Sequence, residues 1–194
     1  KPNIKSKILK LIKINLDPKR KYNHLLRVAL NKNTISISLR KRIKPKLNFN
    51  LKLVNLKRNK PEFKNLKYKE ILSYLYKMDN SKSDIGLCSN KKIYETGTSN
   101  IFFIKDNKVF SPKKNYYRGI TYKFFNSKIK KIIQKDILIS SLEKFDEIIL
   151  IGSGKGVASV KTINQINWKR KSLKFYKLLN NHYSLAVNRS AIFK

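Results

Sequence analysis

All six glycines of this 194-residue chain fall between residues 86 and 156, and four of them sit in two short stretches. Glycine is used where φ must be positive or where backbone must come close to something else. The first stretch, Gly119-Ile-Thr121, stands just ahead of a helical pattern. The second, Gly152-Ser-Gly-Lys-Gly156, directly follows an apolar, strand-like run. A glycine turn with a hydroxyl beside a helix N-terminus offers an anion a set of backbone N–H groups and the positive end of the helix dipole. One such turn is a weak signal, whereas two in one domain predict a phosphate held from two sides. A plain strand-to-helix turn also accounts for 152–156, with Lys155 as a solvated charge.

The pattern around these turns is α+β. Residues 27–30 and 34–39 flank the polar Asn31-Lys-Asn33 and read as a hairpin. Leu47, Phe49, Leu51 and Leu53 alternate with polar residues and fall on one face of a strand. The first sixty residues therefore read as mostly strand, joined by a basic connector from Arg40 to Lys46. Ile71, Leu72, Leu75 and Met78 then recur at helical spacing over 68–78, with Lys67 at the start. Strands are expected at 93–94, 100–104, 109–110, 147–151 and 157–160, and helices over 121–134 and 172–183. Phe124, Phe125, Ile129, Ile132 and Ile133 form the stripe of the first of these helices. Ser140 and Glu143 have capping-box spacing before a short helix.

Charge is the other extreme of this chain. Lys and Arg number 46 against 11 Asp and Glu, a formal net charge of +35. The excess is spread out: about +18 over residues 1–61, +8 over 62–147 and +9 over 148–194. Lys, Ile and Asn abound while Gly and Ala are scarce, a composition that drift toward AT-rich codons produces without selection for a partner. A basic nucleic-acid binder of ribosomal type is one reading of the charge, and Arg40-Lys-Arg42 suits it. Such binders interleave aromatics with basic residues, and residues 1–61 hold only Tyr22 and Phe49. The glycine turns serve no purpose in that reading. The longest apolar runs are a few residues long, too short for a membrane-spanning helix. The single cysteine, Cys88, excludes an internal disulfide framework and a cysteine-based zinc site. It is expected to be a small core residue. His24 and His182 lack partners at ligand or triad spacing, so both read as structural and no metal is expected.

Chemistry concentrates at Glu95. It is the one charge in the run Glu95-Thr-Gly-Thr-Ser-Asn-Ile-Phe102, at a strand end. A lone acid there is either an ion-pair partner or an acceptor for something protonated. Lys67, Glu95, Gly119–Thr121 and Gly152-Ser153, taken in chain order, resemble the class IV (fold-type IV) pyridoxal-phosphate enzymes. That family includes branched-chain and D-amino-acid aminotransferases and 4-amino-4-deoxychorismate lyase. The resemblance runs from about Arg27 to the C-terminus, and the Glu95 segment is its most specific part. It implies a large domain over 61–194 with a mixed sheet or pseudo-barrel and helices. Ahead of it would lie, over 1–60, the closing strands of an incomplete small α+β domain. It also implies pyridoxal 5′-phosphate as cofactor and residue roles. Lys67 would form the Schiff base and shuttle protons, and Glu95 would keep the pyridine nitrogen protonated. Gly119, Ile120 and Thr121 on one turn, with Gly152 and Ser153 on the other, would hold the phosphate. Asn100 would prop the Glu95 strand.

Two departures from the aminotransferase pattern set the expected reaction. Leu72 stands five residues after Lys67, where those enzymes commonly carry Tyr. The second turn continues Ser153-Gly-Lys-Gly-Val157 instead of Thr-Ala-Ala-Glu. Both lean toward the lyase, which releases pyruvate and leaves 4-aminobenzoate for folate synthesis. Glu70, three residues after Lys67 where the lyase often has Asn, weighs the other way, and transamination is the alternative. The resemblance further implies a small amino or carboxylate substrate, a homodimer, a cytoplasmic location and no nucleic acid or membrane partner. The chain opens at Lys1, as a trimmed or incomplete product would.

Overall fold

A computed structural model of the chain describes residues 3–20 and 22–190. Contacts divide it into two units, with the boundary between Arg42 and Ile43. The first unit holds a helix, α1 (Ile4–Asn15), and a hairpin of β1 (His24–Leu30) and β2 (Ile35–Lys41). The hairpin agrees with its sequence pattern. The helix corrects the expectation of a mostly stranded front. Asn3 caps it by accepting from the Lys5 N–H at 3.0 Å, and Ile4, Ile8, Leu11 and Ile12 recur at helical spacing among the lysines.

The second unit is built on a ten-stranded mixed sheet. Its first strand, β3 (Phe49–Asn55), carries the 47–53 alternation, so that segment belongs to this sheet and not with the hairpin. Next come α2 (Lys69–Leu75), β4 (Ser83–Ser89), β5 (Lys92–Thr96), β6 (Asn100–Lys105), β7 (Lys108–Pro112) and α3 (Ile120–Lys128). The chain continues through β8 (Ile132–Lys135), β9 (Ile137–Leu138), β10 (Glu147–Gly152), β11 (Gly156–Ile163), β12 (Trp168–Lys169) and α4 (Lys174–Asn188). The sheet order is β8-β7-β6-β10-β11-β3-β4-β5-β9, with β12 against β11.

Two sequence expectations fail locally. The helix expected through Gln134 stops at Lys128, and Ile132 and Ile133 leave its stripe to pair as β8 parallel to β7. Their β-branched side chains suit a strand, and tertiary pairing outweighs the accidental helical spacing. The Ser140–Glu143 capping box does not form either. That segment is a 3₁₀ turn over Ile139–Lys144 without a side-chain cap, and the Ser141 hydroxyl donates to the Leu138 carbonyl instead.

The central strands are buried on both faces, which is why β6 and β10 read as unbroken apolar runs. Ile148 and Leu150 join Ile101, Phe103, Phe49 and Val160 in one cluster. Ile149 and Ile151 join Phe102, Ile104, Phe125 and Leu179 in another, beneath α3 and α4. A third cluster packs Ile71 and Leu75 of α2 on Ile85 and Leu87. Cys88 is a core residue, as expected, and so is Trp168; burial pushes the Cys88 thiol up to about 12. The Trp168 indole N–H donates to the Phe145 carbonyl at 3.1 Å.

Glu147 starts β10 and is buried, and its role is structural. Its two oxygens accept the N–H groups of Phe175 (2.8 Å) and Tyr176 (2.9 Å), so it caps the first turn of α4 from a neighbouring strand. Glu147→Ala is expected to lower the unfolding free energy by about 2 kcal/mol or more. In urea titrations the midpoint should fall with an unchanged slope.

Candidate active site

Glu95 lies on β5 one residue past a bulge, since Leu87 of β4 pairs with Glu95 while Cys88 pairs with Ile93. Bulges re-aim the side chains that follow them, and Glu95 ends up 3% exposed. Its partners are few for a buried carboxylate. The Arg58 Nε atom is 3.2 Å from Oε1, yet that buried N–H makes no hydrogen bond, so the contact is one of charge without alignment. The Tyr117 backbone N–H reaches Oε2 at a long 3.5 Å. Burial dominates and pushes the carboxyl up to about 7, although the Arg58 charge and the Tyr117 N–H oppose the rise and Glu62 adds to it. Oxygens with this much unused acceptor capacity are set to receive a further, charged donor.

The first glycine turn leads into α3. Gly119 is the N-cap, no side chain caps the helix, and its first turn carries no acid, so the N-terminal amides are left to an outside acceptor. Asn100, the first residue of β6, secures the approach. Its amide donates to the Tyr117 carbonyl at 2.6 Å, and its oxygen accepts the Gly119 N–H at 3.1 Å. Asn100 thus braces the 117–119 segment, a correction to its expected role beneath the Glu95 strand.

The second glycine turn joins β10 to β11, closed by pairing of Gly152 with Gly156. Gly156 has φ +73°, and a Cβ there would also press on the Tyr183 ring at 3.2 Å. At Gly152 a Cβ would meet Ser99 Oγ at 3.1 Å and the Thr98 carbonyl at 3.5 Å, so the turn lies directly on the 96–99 turn. The Ser153 hydroxyl is 3.3 Å from that of Thr121, at the start of α3. Ile120, the chain neighbour of Thr121, is 76% exposed. Two hydroxyls from separate turns, beside free helix-end amides, make a cradle that fits a phosphate-like anion.

Of the residues marked in the sequence, the structure brings together Gly119, Ile120, Thr121, Gly152 and Ser153, and links Glu95 to them through Tyr117 and Asn100. Lys67 stands two residues ahead of α2 with an exposed side chain, and its backbone N–H donates to Asn65 Oδ1 at 2.9 Å. Arg58 was not legible as a site residue, because its partner is distant in sequence and no local pattern marks it. Lys155 is no solvated charge, since it pairs with buried Asp84 at 3.1 Å. Among the described residues no group of His, Cys, Asp and Glu could hold a metal ion, and no helix is long and apolar enough to cross a membrane.

The buried carboxyl has a consequence for stability. Between about pH 4.5 and 7 the unfolded chain has lost the Glu95 proton while the folded chain keeps it, so stability falls as pH rises. Relative to Glu95→Gln, the wild-type chain is expected to lose on the order of 3 kcal/mol across this window. Paired urea titrations at several pH values measure the difference.

The arrangement has relatives. The family model for amino-transferase class IV matches residues 4–163. No curated protein sequence matches the chain. Among solved structures, a Legionella pneumophila protein described as a 4-amino-4-deoxychorismate lyase aligns with a TM-score of 0.70 at 18% identity, covering 95% of this chain and 75% of that one. A branched-chain aminotransferase from Thermoproteus uzoniensis, with norvaline, aligns at 0.67 and 15%, covering 83% and 60%. A Brucella abortus aminotransferase bound to the co-factor PLP aligns at 0.61 and 16%, covering 79% and 59%. This chain thus spans about three-fifths to three-quarters of the length of these neighbours. At such identities the structures establish the fold, a fold-type IV α+β architecture. The family match, which takes in Glu95 and both glycine turns, establishes the rest: the chain belongs to the class IV aminotransferases, the pyridoxal-phosphate-dependent enzymes.

Proposed function

We propose that this chain binds pyridoxal 5′-phosphate between its two glycine turns and acts as a lyase of the 4-amino-4-deoxychorismate type. It would release pyruvate and leave 4-aminobenzoate, as a cytoplasmic homodimer serving folate synthesis. The observation that carries the reading is the 3.3 Å approach of the Thr121 and Ser153 hydroxyls from two separate turns, at the start of a helix whose N-cap makes no side-chain hydrogen bond.

When bound, the cofactor supplies an electron sink for bond breaking at the amino-bearing carbon of a substrate. The residues of the chain supply everything else. The hydroxyls of Thr121 and Ser153, with the N-terminal amides of α3, hold the phosphate. Gly119 and Gly152 keep side chains out of its path. Glu95, short of donors, accepts the N–H of a protonated pyridine ring and holds that proton in place. Arg58 favours the charged form of Glu95, and a cationic ring nitrogen adds to that effect. Lys67 would carry the cofactor aldehyde and move the proton at the substrate carbon. The sequence Ser153-Gly-Lys-Gly-Val157 supports the lyase over a branched-chain or D-amino-acid transaminase, which is the second reading within the family.

The test is reduction and mapping. The chain is mixed with pyridoxal phosphate, desalted, reduced with borohydride and digested. A visible absorption band that survives desalting, with the reduced label on Lys67, is the expected result. A label on Lys64 or Lys69 would overturn the role of Lys67 and keep the cofactor. Absence of any band would overturn the functional reading. Pyruvate release from aminodeoxychorismate, against amine transfer to a keto acid, then separates lyase from transaminase.

A further inference from the structure

Asp84, on β4, is completely buried, and the mechanism above gives it no task. Its Oδ1 accepts the Ile85 N–H at 2.8 Å. Its Oδ2 accepts three donors: the Thr98 hydroxyl at 2.6 Å, the Thr96 hydroxyl at 3.0 Å and the Lys155 ammonium at 3.1 Å. Lys155 comes from the 152–156 turn, seventy-one positions along the chain, with a side chain only 8% exposed. Its ammonium also lies 4.5 Å from the centre of the Phe49 ring, within cation–π range. A buried ion pair is costly to desolvate and adds little net stability over apolar packing. What it supplies is directional: a fixed distance between the two elements that carry it.

Those elements are β4 and the second glycine turn, and the Thr96 and Thr98 hydroxyls bring the 96–99 turn onto the same carboxylate. Thr96 and Thr98 belong to the turn after β5, and Thr98 Oγ1 lies 3.3 Å from Ser99 Oγ. Ser99 in turn abuts Gly152, where a Cβ would approach its hydroxyl at 3.1 Å. Residue 153 is two positions from Lys155, inside the same three-residue loop between Gly152 and Gly156. The 152–156 loop is thus held to Asp84 by the Lys155 side chain, while its Ser153 hydroxyl lies 3.3 Å from that of Thr121.

We propose that Lys155 is a positioning residue: its ion pair with Asp84 ties the second glycine turn to β4 and, through the Thr96 and Thr98 hydroxyls on the same carboxylate, to the 96–99 turn, and so sets Ser153 at the distance from Thr121 that a phosphate needs. The inference rests on reading the two turns as a phosphate site. It assigns to this pair the selectivity for a phosphorylated ligand, and leaves the ring end of the site to Glu95.

The experiment compares pyridoxal phosphate with pyridoxal, which lacks the phosphate, as ligands of the wild-type chain, Lys155→Met and the double variant Asp84→Asn/Lys155→Met. Lys155→Met alone strands a buried carboxylate and is prone to misfold. The double variant removes both charges and keeps the volume, so it serves as the folded control, checked by its thermal midpoint. The expected result is a preference for pyridoxal phosphate over pyridoxal that falls about tenfold in the double variant, the scale of one charge-assisted contact. The ³¹P resonance of the bound phosphate should shift with it. A purely structural pair would weaken both ligands alike. A folded double variant with wild-type preference and an unmoved ³¹P signal would overturn the proposal. Failure of the wild-type chain to bind either ligand would instead overturn the functional reading, and the role of Lys155 with it.

Discussion

The register of β10 against β6 is the constraint from which the site follows. Ile151 pairs with Asn100, so the first residue of β6 sits beside the point where β10 enters its glycine turn. Asn100 then holds Gly119 through its side chain, which places the start of α3, and with it Thr121, next to Ser153. A one-residue slip would turn Asn100 to the other face of the sheet. The slip is resisted because both faces of these strands are packed: Ile148 and Leu150 on one side and Ile149 and Ile151 on the other are each fully buried. The hydrophobic core thus fixes the position of polar groups that contribute little to it.

Two buried carboxylates lie close in sequence and are treated in opposite ways. Asp84 is saturated, with a backbone amide, two hydroxyls and an ammonium on its two oxygens. Glu95 has one long hydrogen bond and a guanidinium whose N–H does not point at it. The first is a joint and the second is an opening. A buried carboxylate left this underfurnished destabilises its ionised form, and a cationic donor arriving at the site relieves that cost. In the proposed complex a protonated ring nitrogen would supply the charge and the donor that Glu95 lacks.

Much of the site was legible because the residues that form it break the local composition. Glu95 stood out as a lone acid in a neutral run. Thr121 and Ser153 stood out because glycine is scarce and gathers around them. The strands buried on both faces announced themselves as short apolar runs. Elsewhere the local signal misled or fell silent. Ile132 and Ile133 kept helical spacing with Phe125 and Ile129, yet parallel pairing with β7 claimed them. The front helix was obscured because lysine occupies so many of its positions. Residues 83–89, with glycine and polar groups among the apolar ones, carried no strand signature of their own, although β4 is a sheet strand. The Asp84–Lys155 and Arg58–Glu95 contacts join residues far apart in the chain, and nothing local to either partner forecasts the other. Lys67 was picked out by its position ahead of a helix, one lysine among many, and its exposed side chain contributes no contact that distinguishes it.

The role proposed for Glu95 is to hold a proton on the cofactor's ring nitrogen. The most direct measurement is the ¹⁵N chemical shift of ring-labelled pyridoxal phosphate bound to the wild-type chain and to Glu95→Gln. The account predicts a protonated nitrogen in the wild-type complex at pH values where the free pyridine is neutral, and an unprotonated one in the variant. An unprotonated nitrogen in both, or a protonated one that survives the substitution, would contradict it.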